Sequence, residues 1–258
     1  MSSGAGPGEA PGATLPRRSY YGWRARLGLI VPALNVVMEP ELARLAPAGV
    51  SLHTTRLLLS GGASVESYRA MGEGARRAGE ELASAEVDVV IYGCTAGSTG
   101  EEGYAVRAAL AAATRAPVVT TSDAVTAALC HLGARRLAVA TPYIPEVNAL
   151  EQAHLEHEGF QVVAIAGLGL GATPESRRAI GHQPPSTAYA LARQVDRPEA
   201  DAVFIACTNF ATLEVLGALE RDLGKPVVSS NQATCWAALR AAGVRTPLAG
   251  FGRLLEQG

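Results

Sequence analysis

The chain has little of what marks most familiar chemistries. Its 258 residues include only four cysteines, Cys94, Cys130, Cys207 and Cys235. They are too few and too dispersed for a disulfide framework, so a reducing cytoplasm is the expected compartment. No C-x₂₋₄-C pair occurs, and His53, His131, His154, His157 and His182 are scattered, so no metal site is expected. His154 and His157, in EQAHLEHEG, read as part of a solvated helix face. Net charge is −2, which leaves no basic excess to meet a phosphate backbone, and nucleic acid is not an expected partner. No apolar run approaches the roughly 18 residues of a membrane span, so no membrane role is expected. A phosphate-binding G-x-x-x-x-G-K-[ST] is missing. The glycines of Gly167–Thr173 lack dinucleotide spacing, and Ser98 lacks the G-x-S-x-G elbow. No cofactor is therefore expected. What is there is a chain 48% hydrophobic, built mostly from Ala, Val and Leu, with ample material for a core. Residues 1–22 are Gly/Pro/Ser-rich, lack the apolar stretch of a secretory signal, and read as a disordered tail.

The chain repeats itself. EVDVVIYGCT (Glu86–Thr95) returns as EADAVFIACT (Glu199–Thr208), five of ten positions identical, with Cys207 lying 113 residues after Cys94. APVVTTSDA from Ala116 resembles KPVVSSNQA from Lys225, and RLGLIVP (Arg26–Pro32) resembles RLAVATP (Arg136–Pro142). Three matches in one order at nearly one offset imply a duplicated unit of roughly 110 residues, two lobes rather than a solenoid.

Strands are expected at 26–31, 50–55, 87–92 and 117–120, then at 136–140, 161–166, 201–206 and 226–229. These are continuous apolar runs, which suits parallel strands buried on both faces. Between them lie helical stretches such as Glu66–Ala85 and Ser176–Val195, the latter broken at Pro184-Pro185. Alternating strand and helix imply an α/β fold of two lobes related by pseudo-twofold symmetry, each a parallel sheet flanked by helices. The boundaries expected are 23–123 plus 230–258 for the first lobe and 124–229 for the second. The working site belongs in the cleft, at the carboxyl ends of the strands.

Cys94 and Cys207 end equivalent strands, each followed by small or hydroxylic residues that suggest a turn into a helix start. A thiol there would have a lowered pKa, and the free amides beside it could hold a carboxylate. A lone cysteine at such a point reads equally well as core. Its repetition favours function, because two thiols facing one carbon can remove a proton on one side and deliver it on the other. Cys130 and Cys235, in Ala/Leu-rich helical segments, read as core packing.

With these residues the chain resembles the aspartate/glutamate racemase superfamily, in its maleate cis–trans isomerase and arylmalonate decarboxylase branch. The carriers are Gly28–Glu41 (GLIVPALNVVMEPE), Tyr92–Ser98 (YGCTAGS), Val139–Asn148 (VATPYIPEVN), Ala206–Phe210 (ACTNF), Pro226–Arg240 and Gly250–Glu256 (GFGRLLE). The pattern also resembles the ectoine-utilisation proteins, relatives of maleate isomerase. Arylmalonate decarboxylases carry glycine opposite Cys94 and lack the asparagine found here at Asn35, so the match favours isomerase or racemase chemistry. One departure concerns maleate: its isomerases have a further substrate-binding asparagine before the Ile-Gly of this region, and GATPESRRAIG offers none.

The resemblance implies that Cys94 acts as nucleophile or base and Cys207 as proton donor. It implies that Asn35, Thr95, Tyr143 and Thr208 bind carboxylate oxygens. The alternative for Tyr143 is a lobe-interface aromatic, Tyr68 reads equally as a helix-surface one, and Asn209 either lines the pocket or caps the following helix. Segments Gly62–Tyr68 and Thr173–His182 would shape the pocket. The expected activity is a cofactor-independent isomerisation or racemisation of a small carboxylic or dicarboxylic acid. The alternatives are a malonate decarboxylase with Cys207 as proton donor, and a catalytically silent two-lobed protein that binds a small acid. Assembly into a homo-oligomer is compatible with everything in the sequence.

Overall fold

The computed structural model describes residues 20–257. Of the tail expected over 1–22, residues 1–19 lie outside the described residues, and Tyr20 and Tyr21 are exposed. The first sheet contains β1 (Ala25–Pro32), β2 (Val50–Leu57), β3 (Val89–Tyr92) and β4 (Val118–Thr120), in the order β2-β1-β3-β4. The second contains β5 (Arg136–Tyr143), β6 (Gln161–Leu170), β7 (Ala202–Ile205) and β8 (Val227–Ser229), in the order β6-β5-β7-β8. Every pairing is parallel and each expected strand is present. The central β3 and β7 are wholly buried, as continuous apolar runs require, whereas the edge strand β2 is half-buried and carries polar residues such as His53 and Thr55.

The duplication extends to single hydrogen bonds. Asp88 Oδ2 accepts from the Arg26 N–H at 2.7 Å, and its counterpart Asp201 Oδ2 accepts from the Arg136 N–H at 2.8 Å. Gly93 N donates to Ile30 O at 2.8 Å, and Ala206 N to Ala140 O at 2.9 Å. The two lobes therefore deliver residues 94 and 207 from the same point of the same ladder.

Around the first sheet run α1 (Met38–Leu45), α2 (Val65–Gly72), α3 (Ala75–Ser84), α4 (Gly100–Ala113) and α5 (Thr121–His131). Around the second run α6 (Pro145–His157), α7 (Pro174–Ile180), α8 (Pro185–Val195) and α9 (Leu216–Leu223), and after β8 follow α10 (Ser230–Ala241) and the short α11 (Arg253–Glu256). The stretch Glu66–Ala85 is divided into α2 and α3 at Glu73-Gly74, and the break between α7 and α8 falls at the Pro184 pair as expected. The edge strands β4 and β8 run straight into helices capped by their last hydroxyl: Thr120 accepts from Asp123 N, and Ser229 from Gln232 N. These helices, α5 and α10, pack on each other, and each also touches the other lobe's sheet. Cys235 is buried in α10 as core, but Cys130 is exposed. Being apolar in composition did not bury it, since α5 hides the other faces of its turns, through Val125, Ala128 and Leu129.

Candidate active site

One cavity of about 40 Å³ lies where the two sheets' carboxyl ends meet, and Cys94 and Cys207 both line it. So do the other residues singled out from the sequence: Asn35, Thr95, Tyr143 and Thr208, and also Tyr68 and Asn209. Ala63 and Ile180 come from the two segments expected to shape the pocket, and so does Arg177.

The polar residues hold one another across the lobes. Asn35 caps the start of α1, its Oδ1 accepting from Val37 N at 3.0 Å and Met38 N at 2.9 Å. Its Nδ2 donates to Thr208 Oγ1 at 3.0 Å, and that hydroxyl donates to Gly93 O at 3.1 Å. Thr95 Oγ1 donates to Ser230 Oγ at 2.9 Å, which accepts from Cys207 N at 3.1 Å. Each residue after a cysteine is thus tied to the opposite lobe, which fixes the strand ends against each other. Gly97 lets the chain turn close behind Cys94: a Cβ there would meet the Cys94 sulfur at 2.9 Å.

Helix starts and lowered thiol pKa values do not materialise. Cys94 leads into a short 3₁₀ turn, Ala96–Ser98, before α4, whereas Cys207 enters an irregular segment with the next helix only at Leu216. Asn209 therefore does not cap a following helix. Burial dominates both thiols, pushing Cys94 up to about 11 and Cys207 up to about 12. Specific contacts oppose it. The Gly97 N–H and the charge of Arg177 favour a thiolate at Cys94. The Tyr143 hydroxyl and the Asn209 N–H, 3.3 Å from the sulfur, favour one at Cys207. Cys207 also holds a φ of +92°, a left-handed backbone unusual outside glycine, and its partner Cys94 does not.

Two charged residues escaped the sequence reading. Arg177 is 4% exposed; its Nη2 donates to Ser67 Oγ at 3.1 Å and its guanidinium lies 5.5 Å from the Tyr68 ring centroid. Its Nη1 is buried without a partner. In sequence it is one of two adjacent arginines, and the other, Arg178, behaves as a surface residue paired with Glu175. Glu151 sits on the buried face of α6 with Oε2 unpartnered, and burial pushes its carboxyl up to about 7. On the same helix His154 is half-buried, not solvated, and lines an adjoining hollow of about 320 Å³ that shares Tyr68 with the cavity.

The arylmalonate decarboxylase family model matches residues 27–255. The maleate isomerase of Nocardia farcinica is 32% identical over 246 residues, covering 90% of this chain and 96% of that protein. The arylmalonate decarboxylase of Bordetella bronchiseptica is 31% identical over 244 residues, with the same two coverages. Among solved structures, a Cys-to-Ser variant of the Nocardia maleate cis–trans isomerase with a covalently bound succinylcysteine intermediate superposes with a TM-score of 0.83. It is 30% identical and covers 91% of this chain and 99% of its own.

Proposed function

Because this chain belongs to the arylmalonate decarboxylase family, and because its two duplicated cysteines line one cavity, we propose that it is a cofactor-independent cis–trans isomerase of a small unsaturated dicarboxylic acid, maleate or a close relative. The observation that carries this reading is the convergence of Cys94 and Cys207 on one pocket. A decarboxylase needs one proton donor. A second thiol at the equivalent point of the other lobe supplies the nucleophile that isomerisation requires.

In the proposed cycle Cys94, its thiol proton first released to solvent, adds as thiolate to one alkene carbon, and the displaced electron pair moves toward the carboxylate on the other. Cys207 gives its proton to that second carbon, leaving a succinyl thioether on Cys94 and a thiolate at Cys207. The former double bond now rotates. Cys207 takes a proton back from the same carbon, the C–S bond breaks, and Cys94 leaves as thiolate. Nothing is oxidised or reduced overall. The contacts support this division of labour, since the Arg177 charge favours the thiolate at Cys94, while the Tyr143 hydroxyl can stabilise the thiolate that Cys207 becomes after giving up its proton. With the Thr95 and Thr208 hydroxyls donating to Ser230 and Gly93, the second N–H of Asn35 Nδ2 and the backbone amides of Thr95 and Thr208 would hold a carboxylate.

Incubating the protein with maleate and following fumarate by proton NMR tests the reading. Cys94→Ala and Cys207→Ala should each cost about 10³-fold or more in turnover, because each removes a group that must gain or lose a proton or bond. Cys207→Ser should accumulate a succinyl adduct on Cys94, visible by intact-protein mass spectrometry. A wild-type protein inert to maleate that decarboxylates arylmalonates, and still does so as Cys94→Gly, would overturn the isomerase in favour of the decarboxylase.

A further inference from the structure

Two donors in the cavity wall have no acceptor. Arg177 Nη1 and Asn209 Nδ2 are both buried and unpartnered, on residues 4% and 5% exposed. Both residues line the cavity. Neighbouring bonds fix their orientation. Asn209 Oδ1 accepts from Val36 N at 3.0 Å, which commits the amide oxygen and turns its NH₂ the other way. Arg177 is held by Ser67 through Nη2 and by the face of Tyr68, which leaves Nη1 over. Both line the same cavity, and Gly181, which closes α7 four residues after Arg177, approaches the Asn209 amide so closely that a Cβ there would meet it at 2.8 Å.

Natural interiors rarely leave such groups unsatisfied, and a buried guanidinium without a carboxylate is the costlier of the two. Among the described residues no Asp or Glu forms an ion pair with Arg177; the one buried acid of the region, Glu151, has no hydrogen-bond partner of its own. The missing complement is an anion that accepts at least two hydrogen bonds. A planar carboxylate does so, and Arg is suited to it by geometry as well as by charge.

We propose that Arg177 and Asn209 form a dedicated seat for one carboxylate of the substrate, and that this seat makes the enzyme selective for dicarboxylates over monocarboxylates of the same length. The proposal rests on the isomerase reading for the identity of the other end: the first carboxylate lies with Asn35, Thr95 and Thr208, between the cysteines, and the second lies in the arginine corner. An anchored second carboxylate also gives the rotating bond a fixed end, so only one half of the molecule turns during the cis–trans change.

Calorimetric titration with succinate and butyrate, neither of which can react, separates the two seats. Wild type should bind succinate about 100-fold more tightly than butyrate, the worth of a charge-assisted pair of hydrogen bonds. Arg177→Met should bring succinate to within several-fold of butyrate and leave butyrate unchanged, while Arg177→Lys keeps part of the preference. Asn209→Asp, nearly isosteric, should also abolish it by repulsion. Arg177→Met should melt no lower than wild type, because an unpaired buried charge is removed. An Arg177→Met protein that keeps wild-type succinate affinity, or that melts cooler and loses both ligands equally, overturns the proposal and makes Arg177 a structural strut. So does a wild type with no preference for succinate. Maleate turnover tells the two readings apart: isomerisation with succinate binding indifferent to Arg177 sinks the seat alone, and an Arg177-dependent preference without isomerisation sinks the isomerase alone.

Discussion

Cys207 is held at φ +92° with its amide on Ser230 and its sulfur facing Tyr143 and the Asn209 N–H. A non-glycine residue there carries strain on the order of 1 kcal/mol, which the surrounding bonds enforce. The strain turns the sulfur into the cavity, so stability has been traded for the position of one atom. Removing the side chain should release it. Cys207→Gly is expected to melt about 3 °C above Cys207→Ala, with both equally inactive. An alanine variant as stable as the glycine one would show that the backbone is at ease there. At this scale the sequence was informative about identity and blind to environment. The duplicated Cys-Thr pair pointed to both thiols, and the family resemblance to their neighbours, yet nothing in a linear chain reports how deeply a thiol is buried. The expected lowering of the thiol pKa therefore came out reversed. Arg177 was invisible for a similar reason, because an arginine in a short polar helix ordinarily faces water.

Among the elements, α6 carries an unusual load. Its buried face presents Val147, Glu151 and Leu155, a carboxyl between two aliphatic side chains. Free glutamate titrates near 4.5, whereas burial pushes Glu151 up to about 7. Below pH 4.5 both folded and unfolded chains hold the proton. As pH rises the unfolded chain gives it up first, so the folded state loses stability up to about pH 7, by about 3 kcal/mol in all. Glu151→Gln cannot titrate and escapes that loss. Its stability relative to wild type should rise by about 3 kcal/mol between pH 4.5 and pH 8 in urea unfolding, and a constant difference across that range would mean that Glu151 is ionised in the fold. The helix itself was harder to read than the strands. EQAHLEHEG looks uniformly solvated because its apolar stripe is interrupted by an acid, so the pattern that marks a buried face is broken at the one position that matters. The eight strands were legible because short unbroken apolar runs have few alternatives.

At the scale of the molecule, the lobes are joined by polar groups deep in their interface. Glu41 on α1 is 5% exposed and its carboxylate bonds only residues far along the chain: Thr212 N at 2.8 Å, Leu213 N at 3.0 Å and Asn231 Nδ2 at 2.7 Å. Glu41→Ala would strand three buried donors at once. A loss of about 4 kcal/mol is expected, roughly a 10 °C fall in Tm, whereas Glu41→Gln, which keeps an acceptor, should lose less than half of that. Equal losses for the two would assign the effect to packing alone. The repeat disclosed two lobes, but ties of this kind join residues about 170 positions apart and leave no local pattern.

Over the cavity, besides the Arg177–Ser67 bond, the lobes touch through two loops. Ala63 N donates to Gly171 O at 2.8 Å, and Gly62 passes so close to Ala172 that a Cβ would fall 2.2 Å from its carbonyl oxygen. One backbone bond between two loops is worth about 1 kcal/mol, against the several that Glu41 secures below. An opening of this roof to admit a ligand is expected on the nanosecond-to-microsecond scale of loops, faster than a domain hinge. On the isomerase reading, substrate exchange is then expected to outpace chemistry, so that the Michaelis constant for maleate should equal the dissociation constant measured with the inactive Cys94→Ala variant.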